Sequence, residues 1–241
     1  MISAIVFDFG QTLVDSSHGF RRAEKAAQQE IWRNLSITSY DDFMQKYREV
    51  RSGFQRAYNF SRSSMWTAVY ESYGHDVAMD AIEEMELEYW ETVKRWTRPF
   101  EETGRVLSEL VGRYKLAVIS NTQGQLNHTG HRISEFPELE GCFETIIVAG
   151  ESGMPPKPDP VPFCVCLEKL ELGADEVVFV GDDWSIDIEG AMNVGIQAVW
   201  LKHQSVRRNW PEVTTTVPVI EGLDELLDLD RVLANVTAVE S

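Results

Sequence analysis

The chain has 241 residues, 43% of them hydrophobic and 25% charged, and a net charge of −17; that is length enough for one large domain, or for a domain carrying an insertion. The acidic balance excludes a general nucleic-acid or anionic-membrane binder, but a local site built from a divalent cation and one lysine can still attract an anion. No apolar run reaches the length of a membrane span, and the N-terminus, strand-like and without a basic n-region, does not read as a signal peptide.

Ile2–Phe7 is a short β-branched run that predicts a buried first strand running straight into Asp8. From Asp15 to Arg98 the pattern is helical and rich in aromatics, among them Phe20, Trp32, Phe43, Tyr47, Trp66, Tyr89 and Trp90. Such a set predicts the core of a helical bundle, with breaks at Ser36-Ile37-Thr38-Ser39 and Ser72-Tyr73-Gly74-His75. After Thr97-Arg98-Pro99 helices and strands alternate. Helices are predicted over Glu101–Arg113, Pro160–Leu170, Asp187–Asn193 and Gly222–Leu229. Strands are predicted over Lys115–Ile119, Glu144–Ala149, Val177–Val180, Gln197–Leu201 and Thr214–Ile220. This alternation predicts an α/β protein with a doubly wound parallel sheet and right-handed crossovers. The core is expected from residues 1–14 plus 99–241, and residues 15–98 as an inserted helical cap, a lid over the active end of the first strand. Ala234–Ser241 is expected to fray. Cys142, Cys164 and Cys166 make a poor disulfide framework and read as small hydrophobes in a reducing cytoplasm, where the protein is expected to reside.

Four stretches end or closely follow strands: Asp8-Phe9-Gly10-Gln11-Thr12-Leu13, Ser120-Asn121-Thr122, Lys157-Pro158-Asp159-Pro160, and Gly181-Asp182-Asp183-Trp184-Ser185-Ile186-Asp187. Strand ends at a carboxyl edge are where open α/β sheets bind ligands. Together the stretches offer a carboxylate nucleophile, hydroxyl and amide donors, a lysine and acidic metal ligands. Phosphoryl transfer through an aspartyl-phosphate needs that set, because an anionic phosphate ester repels a bare carboxylate until positive charge intervenes. On this reading Lys157 and Mg²⁺ supply that charge, while Ser120, Asn121 and Gln11 bind the substrate. Trp184 reads as a packing residue. Arg21, Arg22, Arg51 and Arg56 read as solvated helix faces, although any of them is within the cap's reach of an anion.

With these motifs in this order, the chain resembles the haloacid dehalogenase-like (HAD) hydrolases with a C1-type helical cap, over essentially its whole length. The resemblance implies Asp8, Ser120 and Lys157 as the catalytic residues. It also implies a Mg²⁺ site made by Asp8, the Gly10 carbonyl, Asp182 and Asp187, and a small anionic substrate. Nucleic acid and membrane are not implied as partners, and the protein is expected to be a monomer or a homodimer.

The chain departs from the family at Gly10, where family phosphatases carry an aspartate that protonates the leaving oxygen and then activates water. Glycine does neither, and general acid–base catalysis is worth roughly 10²- to 10⁴-fold. Asp15 and His18 lie just downstream, but read as an N-cap and a surface histidine. Four readings stay open. One is a Mg²⁺-dependent phosphatase of small phosphorylated metabolites. A 2-haloacid dehalogenase needs no proton for its halide, but relatives of that kind lack the acidic pair. A phosphonate-cleaving enzyme would use a Schiff-base lysine, Lys25 or Lys46. The last is a catalytically weak or inert binding protein.

Overall fold

The computed structural model describes residues 1–122, 131–213 and 217–235. The predicted strand Thr214–Ile220 and the predicted fraying tail therefore fall partly outside the described residues. In chain order the elements are β1 (Ala4–Phe7), β2 (Val14–Asp15), α1 (Ser17–Leu35), α2 (Tyr40–Arg56), α3 (Arg62–Glu71), α4 (Met79–Trp96) and β3 (Arg98–Pro99). There follow α5 (Thr103–Val111), β4 (Lys115–Asn121), α6 (Pro137–Glu140), β5 (Thr145–Ala149), α7 (Pro160–Leu170) and β6 (Val177–Gly181). The last are α8 (Glu189–Asn193), β7 (Gln197–Leu201), β8 (Val219–Ile220) and α9 (Leu229–Ala234).

Six strands form one sheet in the order β5-β4-β1-β6-β7-β8, and every neighbouring pair is parallel. β1 and β6 are buried at every position, which is why they read as unbroken apolar runs rather than alternating ones. Ile5 and Phe7 face one apolar layer with Val106, Leu110 and Leu226; Ala4 and Val6 face the other with Phe163, Cys166 and Ala191. Phe7 pairs with Val118 of β4 on one side and Val180 of β6 on the other. The chain steps outward from β1 through β4 to β5, then returns to β6 and runs the opposite way. That reversal beside β1 is the switch point at which a parallel sheet opens a crevice at its carboxyl edge.

The described chain divides into two compact units: Met1–Asp15, Arg98–Asn121 and Arg132 onward form the first, and Ser16–Thr97 with Thr122 and His131 the second. The second unit is helical. Phe43, Tyr47, Trp66, Val69, Trp90 and Val93 are fully enclosed in its core, while Tyr58 and Trp96 remain exposed. Several features escape the sequence pattern, among them α6 and the 3-10 turn Leu223–Asp228, which stands where a helix over Gly222–Leu229 is predicted, with α9 following it. β2 and β3 form a two-residue antiparallel ladder, Val14 opposite Pro99 and Asp15 opposite Arg98. The helical run also breaks between α2 and α3, where Tyr58 takes φ 49° and the Ser61 hydroxyl caps α3 by accepting from the Ser64 N–H at 3.2 Å. The predicted helix Asp187–Asn193 is α-helical only from Glu189; its first two residues belong to a wide π-type turn, Trp184–Ile188, capped when Asp183 Oδ1 accepts from the Ile186 N–H at 3.1 Å.

Candidate active site

Asp8 follows β1 directly, Ser120 lies near the end of β4, and Asp182 follows β6, so all three emerge at the same carboxyl edge. Lys157 reaches this edge from the loop before α7. Its ammonium is fully buried and donates to Asp8 Oδ1 at 2.8 Å and to Asp187 Oδ1 at 2.7 Å. Burial pushes its pKa down; the carboxylates of Asp187 and Asp8 outweigh that cost and hold the amine charged well above its ordinary range. The backbone of Lys157 is clamped as well. Its N–H donates to Asn121 Oδ1 at 2.8 Å, and Asn121 Nδ2 donates to its carbonyl at 3.0 Å. Asn121, expected among the substrate-binding groups, thus has its amide engaged in holding the lysine loop. Gln11 sits in the turn after β1 at φ 64°, its N–H donating to the Val14 carbonyl at 2.7 Å.

Asp187 accepts from Lys157 with one oxygen and from the Asp183 N–H with the other, at 3.0 Å. The close turn that permits this needs glycine at 181, where a Cβ would stand 2.5 Å from the Asp187 Cβ. Carboxylate oxygens of Asp8, Asp182 and Asp187 lie within 4.8 Å of one another. Burial raises the pKa of Asp187 to about 7; Lys157 opposes the shift and Asp8 reinforces it. Asp182 is also raised, first by burial and then by Asp187 and Asp8, with Arg208 opposing. Trp184 and Trp200 form a tilted aromatic pair, centroids 5.0 Å apart and planes 58° apart, behind this loop, and Trp200 Nε1 donates to the Asp182 carbonyl at 3.0 Å. Trp184 is a packing residue here, as its sequence context suggests.

Three site residues went unassigned in the sequence. Arg208 donates to Asp182 Oδ2 and, at 3.3 Å, to Asp183 Oδ2. Arg132 is 4% exposed, with its guanidinium carbon 5.5 Å from the centroid of the Phe9 ring. Thr12 buries a hydroxyl with no hydrogen-bond partner among the described residues. The arginines stand outside any motif, and a lone arginine in a loop reads as solvated. Thr12 stood inside the first motif, and its place there was the available signal.

Residues 2–195 match the haloacid dehalogenase-like hydrolase family. The chain belongs to the haloacid dehalogenase-like hydrolases. This HAD-like hydrolase is 28% identical over 209 residues to the glyceraldehyde 3-phosphate phosphatase of Pyrococcus abyssi, a match covering 84% of this chain and 82% of that one. Among solved structures, the HAD-hydrolase YfnB of Bacillus subtilis, bound to magnesium, superposes with a TM-score of 0.65 at 21% identity, covering 96% of this chain and 98% of that one. The 2-haloacid dehalogenase of Pseudomonas syringae pv. Tomato DC3000 gives a TM-score of 0.65 at 24% identity, covering 98% and 99%. At these identities the structures establish the shared fold. No helix among the described residues of the hydrolase is long and apolar enough to cross a membrane.

The hydrolase's helical unit holds the remaining candidates. His18 is exposed, its ring 4.6 Å from Trp96, and Arg22 lies over the same ring at 4.9 Å. Lys25 is exposed, and Lys46 pairs with Glu49 at 3.1 Å. Arg21 and Arg51 border a cavity of about 380 Å³ together with Glu24, Arg62 and Tyr89. Glu24 accepts there from Arg51 at 3.1 Å and from the Tyr47 hydroxyl at 3.0 Å.

Proposed function

We propose that this HAD-like hydrolase is a Mg²⁺-dependent phosphatase of small phosphorylated metabolites, and that the Asp8 carboxylate attacks phosphorus to give an aspartyl-phosphate. The observation that carries the reading is the buried Lys157 ammonium shared between Asp8 and Asp187, with Asp182 completing an acidic cluster. Three carboxylates against Lys157 and Arg208 still leave the cluster with negative charge in excess and oxygen donors only, which suits a hard divalent cation. Asp8, the Gly10 carbonyl and Asp182 would hold Mg²⁺, with Asp187 beside them. When bound, the ion neutralises charge on the phosphoryl oxygens.

The chain's own residues do the rest. Lys157 holds Asp8 by one oxygen, which fixes the side chain's direction and adds positive charge beside the phosphoryl group. Ser120, at the end of β4, would donate to a phosphoryl oxygen. Asp187 and Asn121 act as positioning residues, the first on the ammonium of Lys157 and the second on its backbone. The named phosphatase relative supports this chemistry over carbon–halogen cleavage, and so does the acidic cluster.

The test uses p-nitrophenyl phosphate and 2-chloropropionate, each with Mg²⁺ and with EDTA. Release of p-nitrophenolate that needs Mg²⁺ and disappears in Asp8→Asn is expected. Halide release indifferent to EDTA would replace this reading with the dehalogenase. Turnover of neither substrate would leave a binding protein.

A further inference from the structure

The first motif lacks an acid at position 10, and the structure puts a cation beside that gap. Arg132 opens the short 3-10 turn Arg132–Glu135 beyond β4, and its side chain is buried. A Cβ built on Gly10 would lie 3.5 Å from Arg132 Nη2, ordinary van der Waals contact, with no other described neighbour within 4 Å apart from the adjoining chain. Gly10 is not among the residues at positive φ, so its backbone does not demand glycine. A side chain at position 10 would therefore project against a guanidinium.

Arginine does not release a proton at any working pH, so Arg132 is no substitute acid or base. A fixed guanidinium can instead meet negative charge as it grows on a departing oxygen. We infer that Arg132 stabilises the leaving group as an oxyanion. The substrates are then phosphoryl compounds whose leaving groups depart unprotonated: carboxylates from acyl phosphates, phosphates from phosphoanhydrides, and acidic phenolates. This rests on the phosphatase reading above. In the first step a lone pair of Asp8 forms an O–P bond, the P–O bond to the leaving group breaks, and its electron pair stays on the departing oxygen without proton transfer. Water then cleaves the aspartyl-phosphate, returning the Asp8 carboxylate and inorganic phosphate, with the excess proton passing to solvent.

The experiment compares wild type with Arg132→Gln and Arg132→Lys on aryl phosphates from p-nitrophenyl to phenyl, using the full chain with saturating Mg²⁺. Arg132→Gln is expected to lower kcat/KM for phenyl phosphate by about 10²- to 10³-fold, and for p-nitrophenyl phosphate by about tenfold, with partial rescue by lysine. A merely structural role would depress the whole series equally, and that result overturns the inference. Gly10→Asp adds an arm that leaves Arg132 in place. The new carboxylate would be held ionised by Arg132, so turnover of glycerol 3-phosphate should stay flat in Gly10→Asp and rise in Gly10→Asp/Arg132→Gln. A rise in Gly10→Asp alone also overturns the inference. If wild type with Mg²⁺ hydrolyses no aryl phosphate, the phosphatase reading falls and takes this inference with it. An active phosphatase with an unchanged leaving-group dependence defeats the inference alone.

Discussion

Lys157 shows how much one residue can be asked to hold. It is fully buried, and burial disfavours its charge, yet two carboxylates and the Asn121 amide fix both ends of the residue. Removing one partner of such a network leaves buried charge uncompensated, at a cost of about 3–5 kcal/mol. Lys157→Met, which keeps much of the volume, should therefore lose both activity and stability. The sign with pH is fixed by the carboxylates. Asp187 already has a raised pKa with the lysine present, and loses its main opposing influence without it. A carboxylate with a folded-state pKa above its unfolded value takes up a proton on folding, so stability falls as pH rises through the folded value. The variant's deficit in urea unfolding with EDTA should be larger at pH 8 than at pH 5.5; an equal deficit at both would refute the account. Arg208 makes the opposite kind of contact. It competes for Asp182, so Arg208→Gln should tighten Mg²⁺ binding by about two- to fivefold in calorimetry. Asp8, Lys157, Asp182 and Asp187 were legible in the sequence because each sits in a short motif tied to a strand end or a helix start. Arg132 and Arg208 were not, since only tertiary structure brings an isolated loop arginine against a carboxylate or an empty glycine position. The Asn121 clamp was hidden for the same reason: its partner lies 36 residues away.

At the scale of elements, long periodic segments and buried strands declared themselves, while short or unmarked ones did not. β2 and β3 are two residues each, too short to carry a period. The break before α3 contains Tyr58-Asn59-Phe60, with neither glycine nor proline to signal it. In the second unit α1 and α4 come into close backbone approach at Gly19. A Cβ on Gly19 of α1 would meet the Val93 carbonyl oxygen of α4 at 2.8 Å and Val93 Cα at 3.0 Å, both backbone atoms that cannot swing aside. Gly19→Ala should force α1 and α4 apart and cost about 1–3 kcal/mol, despite alanine's better helix propensity. Hydrogen exchange should show the loss in α1 and α4. Alanine at this position with unchanged or improved protection there would contradict the packing argument.

For the whole molecule, a net charge of −17 and a buried cluster of three carboxylates act in the same direction. Both make the metal-free chain resist ionisation, and both are relieved by protons or by a divalent cation. Asp182 and Asp187 are raised chiefly by burial and then by neighbouring carboxylates, with Lys157 and Arg208 opposing. By linkage the metal-free protein should gain stability as pH falls from 8 towards 5.5, because the folded state binds more protons than the unfolded one across that window. Mg²⁺ competes with those protons, so its stabilising effect should be largest at pH 8 and shrink on acidification. At a concentration 100 times its Kd, a ligand of the folded state adds about 2.7 kcal/mol. At about 2–4 °C per kcal/mol for a chain of this size, that is a Tm increase of about 5–11 °C. Matched ionic strength separates this from general screening of the acidic surface, which NaCl supplies equally well. Asp182→Asn separates it from weak surface sites: it removes one cluster charge while leaving the overall charge nearly unchanged. Scanning calorimetry of the variant should show a flatter pH dependence without metal and little response to Mg²⁺. A variant that keeps the full magnesium shift would place the ion elsewhere and detach the acidic cluster from the proposed chemistry.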